Sequence, residues 1–342
     1  MWILLAVACR PTTTTDGVTP TDDTTLPSPT DVASGHSGHS WGRWVPHSEH
    51  SATEPPGHTG TTDPVDCSVL PDPSSVTVNT LTGWGIAEDF DFDLDGNHLA
   101  VRNGALTLKN MAGQTRVAAA GFNGGTAGTR VLATGDMLVC DFAVSGLTLV
   151  DKTTGGRSTI LSGLAYPNGL EVDRDNRAYV ADNSSGTVHM VDVYTGDHWI
   201  VATGLRAPNG VILSPDQQVL YVGTFGGNVV YGIPRLTDTT WGQPRILVSD
   251  PRNGGFDGIN VDVCGNVYYT EFVAGNVWRV TPDGTQVDRM VRLPSAWIPN
   301  MRWGSGVGGW DPNKLYVADR QGAGLFELDL GLPGPPHVGL PP

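Results

Sequence analysis

Lysine is nearly missing from this chain. Lys109, Lys152 and Lys314 are the only three in 342 residues, and Lys+Arg (20) falls well below Asp+Glu (35). A formal charge of −15 argues against nucleic acid as the main partner, because phosphate binding needs a basic face. It is compatible with cations and with small neutral substrates. Long apolar runs are missing too: no stretch approaches the ~18 residues of a membrane-spanning helix. Helix-period patterns are scarce from about residue 75 onward, which excludes a helical bundle. Glycine (45) and proline (25), by contrast, are abundant.

The first segments contain little that could form a core. "MWILLAVACR" is a short apolar run ending in Ala-Val-Ala-Cys. It resembles a bacterial lipoprotein signal over 1–9, in which Cys9 becomes the lipidated first residue. Residues 10–73 are dominated by Thr, Ser, Pro, Asp, Gly and His, and cannot bury enough apolar surface to offset their ordering entropy. They read as a disordered tether, which places the chain in the cell envelope, held to the membrane by lipid alone; an extracellular location is the alternative. His36, His39, His47, His50 and His58 lie in this segment, as spacer residues or weak metal ligands. Of the remaining cysteines, Cys140 sits in an apolar run and reads as buried, leaving Cys67 and Cys264 as a candidate pair.

From residue 74 to 331 short alternating strands recur. "AEDFDFDLDGNHLAVR", "PNGLEVDRDNRAYVAD", "PNGVILSPDQQVLYVG" and "FDGINVDVCGNVYYTE" share one design: a polar residue, a strand, a turn on Asp, Asn or Gly, and a second strand. Taking the polar position as marker, Asn168, Asn209 and Asp257 stand 41 and 48 residues apart, and Glu88 lies 80 before Asn168, room for two units. The missing unit is "TRVLATGDMLVCDFAVSGLTLVD" and the last is "WGSGVGGWDPNKLYVADRQGAGLFELDL". Six units of four strands predict an all-β, six-bladed propeller. The last unit stops one strand short at Leu330, and "SSVTVNTLTG" reads as an N-terminal strand that completes it and leaves no free edge. Residues 332–342 form a Pro-rich C-terminal tail.

The first strand of each unit is innermost in a propeller, so the residue just before it faces the mouth of the central channel. That residue is Glu88, Asn168, Asn209 or Asp257 in four blades. Turn propensity accounts for the asparagines but gives no reason for two carboxylates at the same register. Two carboxylates and two amides are hard oxygen donors whose charge matches one Ca²⁺, with water or substrate completing its shell. Zinc would call for Cys or His, and none stands there. The competing reading is a set of polar residues solvating a water-filled pore.

The six-blade layout, both Pro-Asn-Gly strand starts, Phe256-Asp257-Gly258 and the closing strand are similar to the SMP-30/gluconolactonase/luciferin-regenerating-enzyme-like family, with diisopropyl fluorophosphatase and paraoxonase more distant. The resemblance covers about residues 75–330 and implies a metal-dependent hydrolase of lactones, other esters or organophosphates. It assigns Glu88, Asn209 and Asp257 as metal ligands and Asn168 as a ligand or a substrate contact. Departures are visible. The sugar-lactone branch resembles Arg-x-Asn-Asp-Gly around the third-blade asparagine, where this chain reads Tyr166-Pro167-Asn168-Gly169. The groups that would grip sugar hydroxyls are therefore absent, and gluconolactone itself is not the expected substrate. His98, His189 and His198 map to strands or lower turns, away from the mouth.

The expectation is a calcium-dependent hydrolase in which the ion polarises the carbonyl of a small lactone or ester. Asp257 is the expected base and Asn168 its catalytic partner. Tyr166, Phe225, Phe272 and Trp303 form a candidate pocket, residues 294–304 a candidate lid, and Ser305 a polar contribution from blade six. The alternatives are a non-catalytic tethered propeller with a structural calcium, and metal capture by the histidine tail.

Overall fold

In the computed structural model, residues 65–250, 254–322 and 324–340 are described. The expectations for Cys9, the 1–9 leader and the five tether histidines lie outside these residues. The described chain forms six four-stranded antiparallel sheets, each a blade with its strands in sequence order except the last. There, Thr77–Leu81 pairs antiparallel with Gly324–Asp329, residue 77 opposite 329 and 81 opposite 325, and so supplies the missing outer strand of blade six. The two chain segments lock the ring without leaving an open edge between them. The six-bladed, all-β architecture read from the repeat is thus the observed one.

Local chemistry explains the strands and their turns. Within blades one, three and five, the inner strand ends on an aspartate whose side chain caps the following turn. Asp93 Oδ1 accepts from the backbone N–H groups of Asp95 and Asn97, Asp173 Oδ1 from Asp175 and Arg177, and Asp262 Oδ1 from Cys264 and Asn266. These Asx-type turns replace backbone partners that the strands cannot provide. Blades then bury their apolar faces against one another; one cluster joins Leu138, Cys140 and Leu147 to Leu170, Val172 and Val180. The larger aromatics Trp303, Trp310, Tyr179 and Tyr268 are fully buried between blades.

The axis is tightly packed, and this explains the glycines of the recurring motif. A Cβ on Gly169 would lie 1.8 Å from the Asn209 carbonyl oxygen, and one on Gly210 would lie 2.3 Å from that of Asp257. On Gly258 it would lie 2.5 Å from Asn300 Cα. The inner strands of adjacent blades meet here backbone to backbone, with no space for a side chain.

Both termini of the ring depart from their expected looseness. Residues 65–73, read as the end of a disordered tether, are fastened to blade five: Cys67 and Cys264 form a disulfide across 197 residues, and buried Arg279 donates to the Pro71 carbonyl at 2.7 Å. Cys140 is free and buried, as expected. At the other end the Pro-rich tail folds under the ring. Val263 donates its N–H to the Pro333 carbonyl, Gly334 to Pro312, and His337 Nε2 to the Trp303 carbonyl at 2.8 Å.

Candidate active site at the propeller axis

The loops over the upper mouth are tied down by acids at the ends of the second strands. Asp182 accepts from the backbone N–H groups of Ala165 (2.9 Å) and Tyr166 (2.7 Å), which sets Pro167 and Asn168 at the axis. Asn183 Nδ2 donates to the Pro208 carbonyl at 3.1 Å and steadies the start of the next inner strand. Thr270 Oγ1 accepts the Gly258 N–H at 2.9 Å and does the same beside Asp257.

So placed, Glu88, Asn168, Asn209 and Asp257 line a single small cavity with Asp89, Pro299 and Asn300. All four residues picked out at the polar position of the repeat meet there. Asp257 is only 5 % exposed. Burial pushes its carboxyl well above the usual range, the neighbouring Glu88 charge adds to that, and a hydrogen bond from Asn209 opposes it. The Glu88 carboxyl is also raised, by burial first, with the Arg320 guanidinium pulling the other way. Arg320 makes a direct ion pair with Glu88, and its backbone N–H is held by the Trp297 carbonyl.

Below the mouth a second layer of inward residues carries a ladder of buried charge. Asp89 pairs with Arg130 at 2.6 Å, Arg130 with Glu171 at 3.4 Å, Glu171 with Arg302 at 2.9 Å, and Arg302 with Asp91 at 3.1 Å. His337 from the tail ends the ladder 3.7 Å from Asp91. Another cavity lies at this lower end, lined by Glu171, Arg302 and His337, away from the polar residues of the mouth.

The donor set suits a hard divalent ion on chemical grounds. Around the channel the carboxylates are Glu88, Asp89, Asp91, Glu171 and Asp257, and the guanidiniums are Arg130, Arg302 and Arg320; five against three leaves two negative charges. The three raised carboxyls of this set, Glu88, Asp89 and Asp257, all line the mouth cavity, where an added cation would lower them. Among the described residues no three His, Cys, Asp or Glu side chains form a metal cluster. The set is therefore a mixed one of carboxylates and amides, which oxygen-seeking cations accept and zinc does not.

Two expected pocket residues are elsewhere. Trp303 is 2 % exposed and packs edge-on against Tyr268, and Ser305 Oγ donates to the Val307 carbonyl in a lower turn. The inner strand of blade six starts at Met301, so Ser305 has travelled roughly 15 Å away from the mouth at ~3.3 Å per residue. The mouth position of this blade belongs to Asn300, and the signal was present: Pro299-Asn300 is the third Pro-Asn before an inner strand. The candidate lid is a fixed wall: Ser295 Oγ and the Ala296 N–H both donate to Gln321 Oε1, and Ile298 and Pro299 are buried. Trp297, from this wall, takes the place expected for Trp303, with Phe272 6.1 Å from it and Phe225 6.1 Å further on. Tyr166 stacks on Phe142 at 4.7 Å beside Asn168. His337 was overlooked as a channel residue, although it lies at the end opposite the mouth.

Residues 195–320, which include Asn209, Asp257, Asn300 and Arg320, match the family model described as "SMP-30/Gluconolactonase/LRE-like region". The match covers little more than a third of the chain. A 6-deoxy-6-sulfogluconolactonase of Pseudomonas putida is 31 % identical to it over 118 residues, 34 % of this chain and 39 % of that protein. The chain thus matches about two fifths of the length of this curated relative. A gluconolactonase of Xanthomonas campestris superposes with a TM-score of 0.63 at 20 % identity, over 75 % of this chain and 90 % of that one. The calcium-binding protein regucalcin of Agrobacterium tumefaciens does so with a TM-score of 0.63 at 18 % identity, over 76 % and 97 %. At these identities the likeness is one of fold alone: it covers the six-bladed ring.

Proposed function

We propose that this protein is a calcium-dependent hydrolase of lactones or other small esters, organophosphates included, acting at the upper mouth of the propeller. The observation that carries the reading is the convergence of Glu88, Asn168, Asn209 and Asp257 on one cavity whose surroundings hold two uncompensated negative charges. Glu88, Asn209 and Asp257, with Asn168 or Asn300 beside them, would hold the ion. When bound, Ca²⁺ supplies Lewis-acid polarisation of the substrate carbonyl and neutralises the mouth.

The protein's own groups do the rest. Asp257 lines the cavity where the ester would sit, which places a carboxylate oxygen to take a proton from attacking water. The water oxygen bonds to the acyl carbon, the ring C–O bond breaks, and the proton from Asp257 passes to the departing alkoxide. The Asn168 and Asn209 carboxamides orient the ester, and buried Pro299 and Ile298 exclude bulk water from that side. The Cys67–Cys264 disulfide supports an exported location, in keeping with lipidation at Cys9 and a 10–64 tether.

A second reading, a ligand-binding propeller with a structural calcium, draws on Arg320, which already engages Glu88. Assay of the purified protein against lactones, aryl esters and organophosphates, in calcium and in chelator, tests the first reading. Chelator-sensitive turnover that Glu88→Gln lowers together with bound calcium supports it. Calcium binding and stabilisation with no turnover of any class favours the second.

A further inference from the structure

One position repeats around the upper rim: the residue that follows the second strand of each blade. It is Asn103, Phe142, Asn183, Phe225 and Arg320 in blades one to four and six, each directly after that strand, while in blade five Phe272 is the strand's last residue and occupies the same stretch of rim. This part of the rim is aromatic in blades two, four and five; Phe142 of blade two packs on Tyr166, whereas Phe225 and Phe272 of the adjacent blades four and five form an arc that Trp297 continues towards blade six. Phe225 is 38 % and Trp297 39 % exposed, well above the level of the buried aromatics between blades. Val273, next to Phe272, is exposed as well.

The arc is built rather than incidental. Gly255, two residues before Asp257, has its Cβ position filled by the Phe225 ring, at 2.3 Å from Cδ2. The ring therefore lies flat against the backbone that delivers Asp257 to the axis. Trp297 is fixed through its carbonyl, which holds Arg320, the residue paired with Glu88. An apolar surface is thus attached at both ends to groups of the catalytic mouth. Covering this aromatic carbon with hydrocarbon is favourable, and the Trp297 indole N–H is the one polar donor among the three side chains.

We propose that the arc Phe225–Phe272–Trp297 is the subsite for an apolar substituent, so that the substrate class is a lactone or ester bearing an alkyl or aryl chain, not a sugar lactone. The acyl carbon sits at the Asn168–Asp257 cavity and the chain leaves across the arc towards solvent. This rests on the hydrolase reading for the reacting end and on the rim alone for the chain.

The test uses the full chain with calcium and two homologous series: γ-lactones with n-alkyl substituents of increasing length, followed by turnover, and the corresponding non-hydrolysable γ-lactams, followed by calorimetric binding. The expected result is a rise in kcat/KM and in lactam affinity of about two- to fourfold per methylene until the arc is covered. Phe225→Ala and Trp297→Ala should each reduce that slope. A flat slope in both series, a preference for polyhydroxylated over alkyl lactones of the same ring size, or absence of both turnover and lactam binding overturns the proposal. Lactam binding with the expected slope but no turnover upholds the subsite and instead removes the hydrolase reading.

Discussion

Replacing Asp257 by asparagine should stabilise the metal-free protein and abolish its response to calcium. The side chain is almost wholly buried beside the Glu88 carboxylate, with Asn209 as a hydrogen-bond donor. An ionised carboxylate in such a place costs several kcal/mol, and the Arg320 guanidinium, itself paired with Glu88, relieves it only in part. Asparagine keeps the shape and removes the charge, so a gain of about 1–3 kcal/mol is expected in chelator at neutral pH. At about 2–4 °C per kcal/mol for a domain of this size, Tm should rise by about 2–12 °C. With calcium at a thousand times its Kd the order reverses, because wild type gains ~4.1 kcal/mol by linkage and the variant gains nothing. Circular-dichroism melts of both proteins in chelator and in calcium read the crossing directly.

The pH dependence supplies a check on sign. Both Glu88 and Asp257 have folded-state carboxyls raised above their unfolded values, so their cost is present when they are ionised and is relieved as pH falls through the raised range. Wild type in chelator should therefore gain stability from this pair between neutral pH and about pH 5, and Asp257→Asn should lose most of that gain. A variant less stable than wild type in chelator, or equal calcium shifts in both proteins, would refute the reasoning that a divalent ion balances this pair.

Gly169→Ala should cost about 3 kcal/mol or more, since its Cβ would stand 1.8 Å from a backbone oxygen that cannot move aside; urea melts measure it. Burial and the Arg302 charge hold His337 below its ordinary range, against the pull of Asp91 and Glu171. Its contribution is thus lost as pH falls below about 6.5, at up to about 1.4 kcal/mol per pH unit, and His337→Gln should flatten that limb in calcium-loaded protein. Reduction of Cys67–Cys264 should lower stability by about 2–5 kcal/mol and expose residues 65–73 to limited proteolysis, with calcium affinity at the mouth unchanged.

Much of the site was legible because the repeat is periodic. Two asparagines, a glutamate and an aspartate stand at one register, and register in a closed ring maps onto one point in space. Asn300 escaped because Met301 stands where the other Pro-Asn pairs have glycine, and a longer connection precedes it. Arg320 escaped for a different reason: nothing in "VADRQGAG" distinguishes an arginine that turns over the mouth from one that faces solvent. His337 sits in a segment whose proline content reads as loose tail, yet the same prolines let it run extended beneath the ring.

The order of the blades, the closing strand and the polar ring follow from alternation and spacing, which are local properties that each segment carries whether or not its neighbours are present. The ion pair of Arg320 with Glu88, the charge ladder ending on His337, and the exchange of Trp303 for Trp297 at the mouth depend on which segments closure brings together. These partners lie up to 246 residues apart in sequence, as His337 is from Asp91. Burial then decides their charge states, because the cost of an ion is set by what surrounds it and not by its place in the chain.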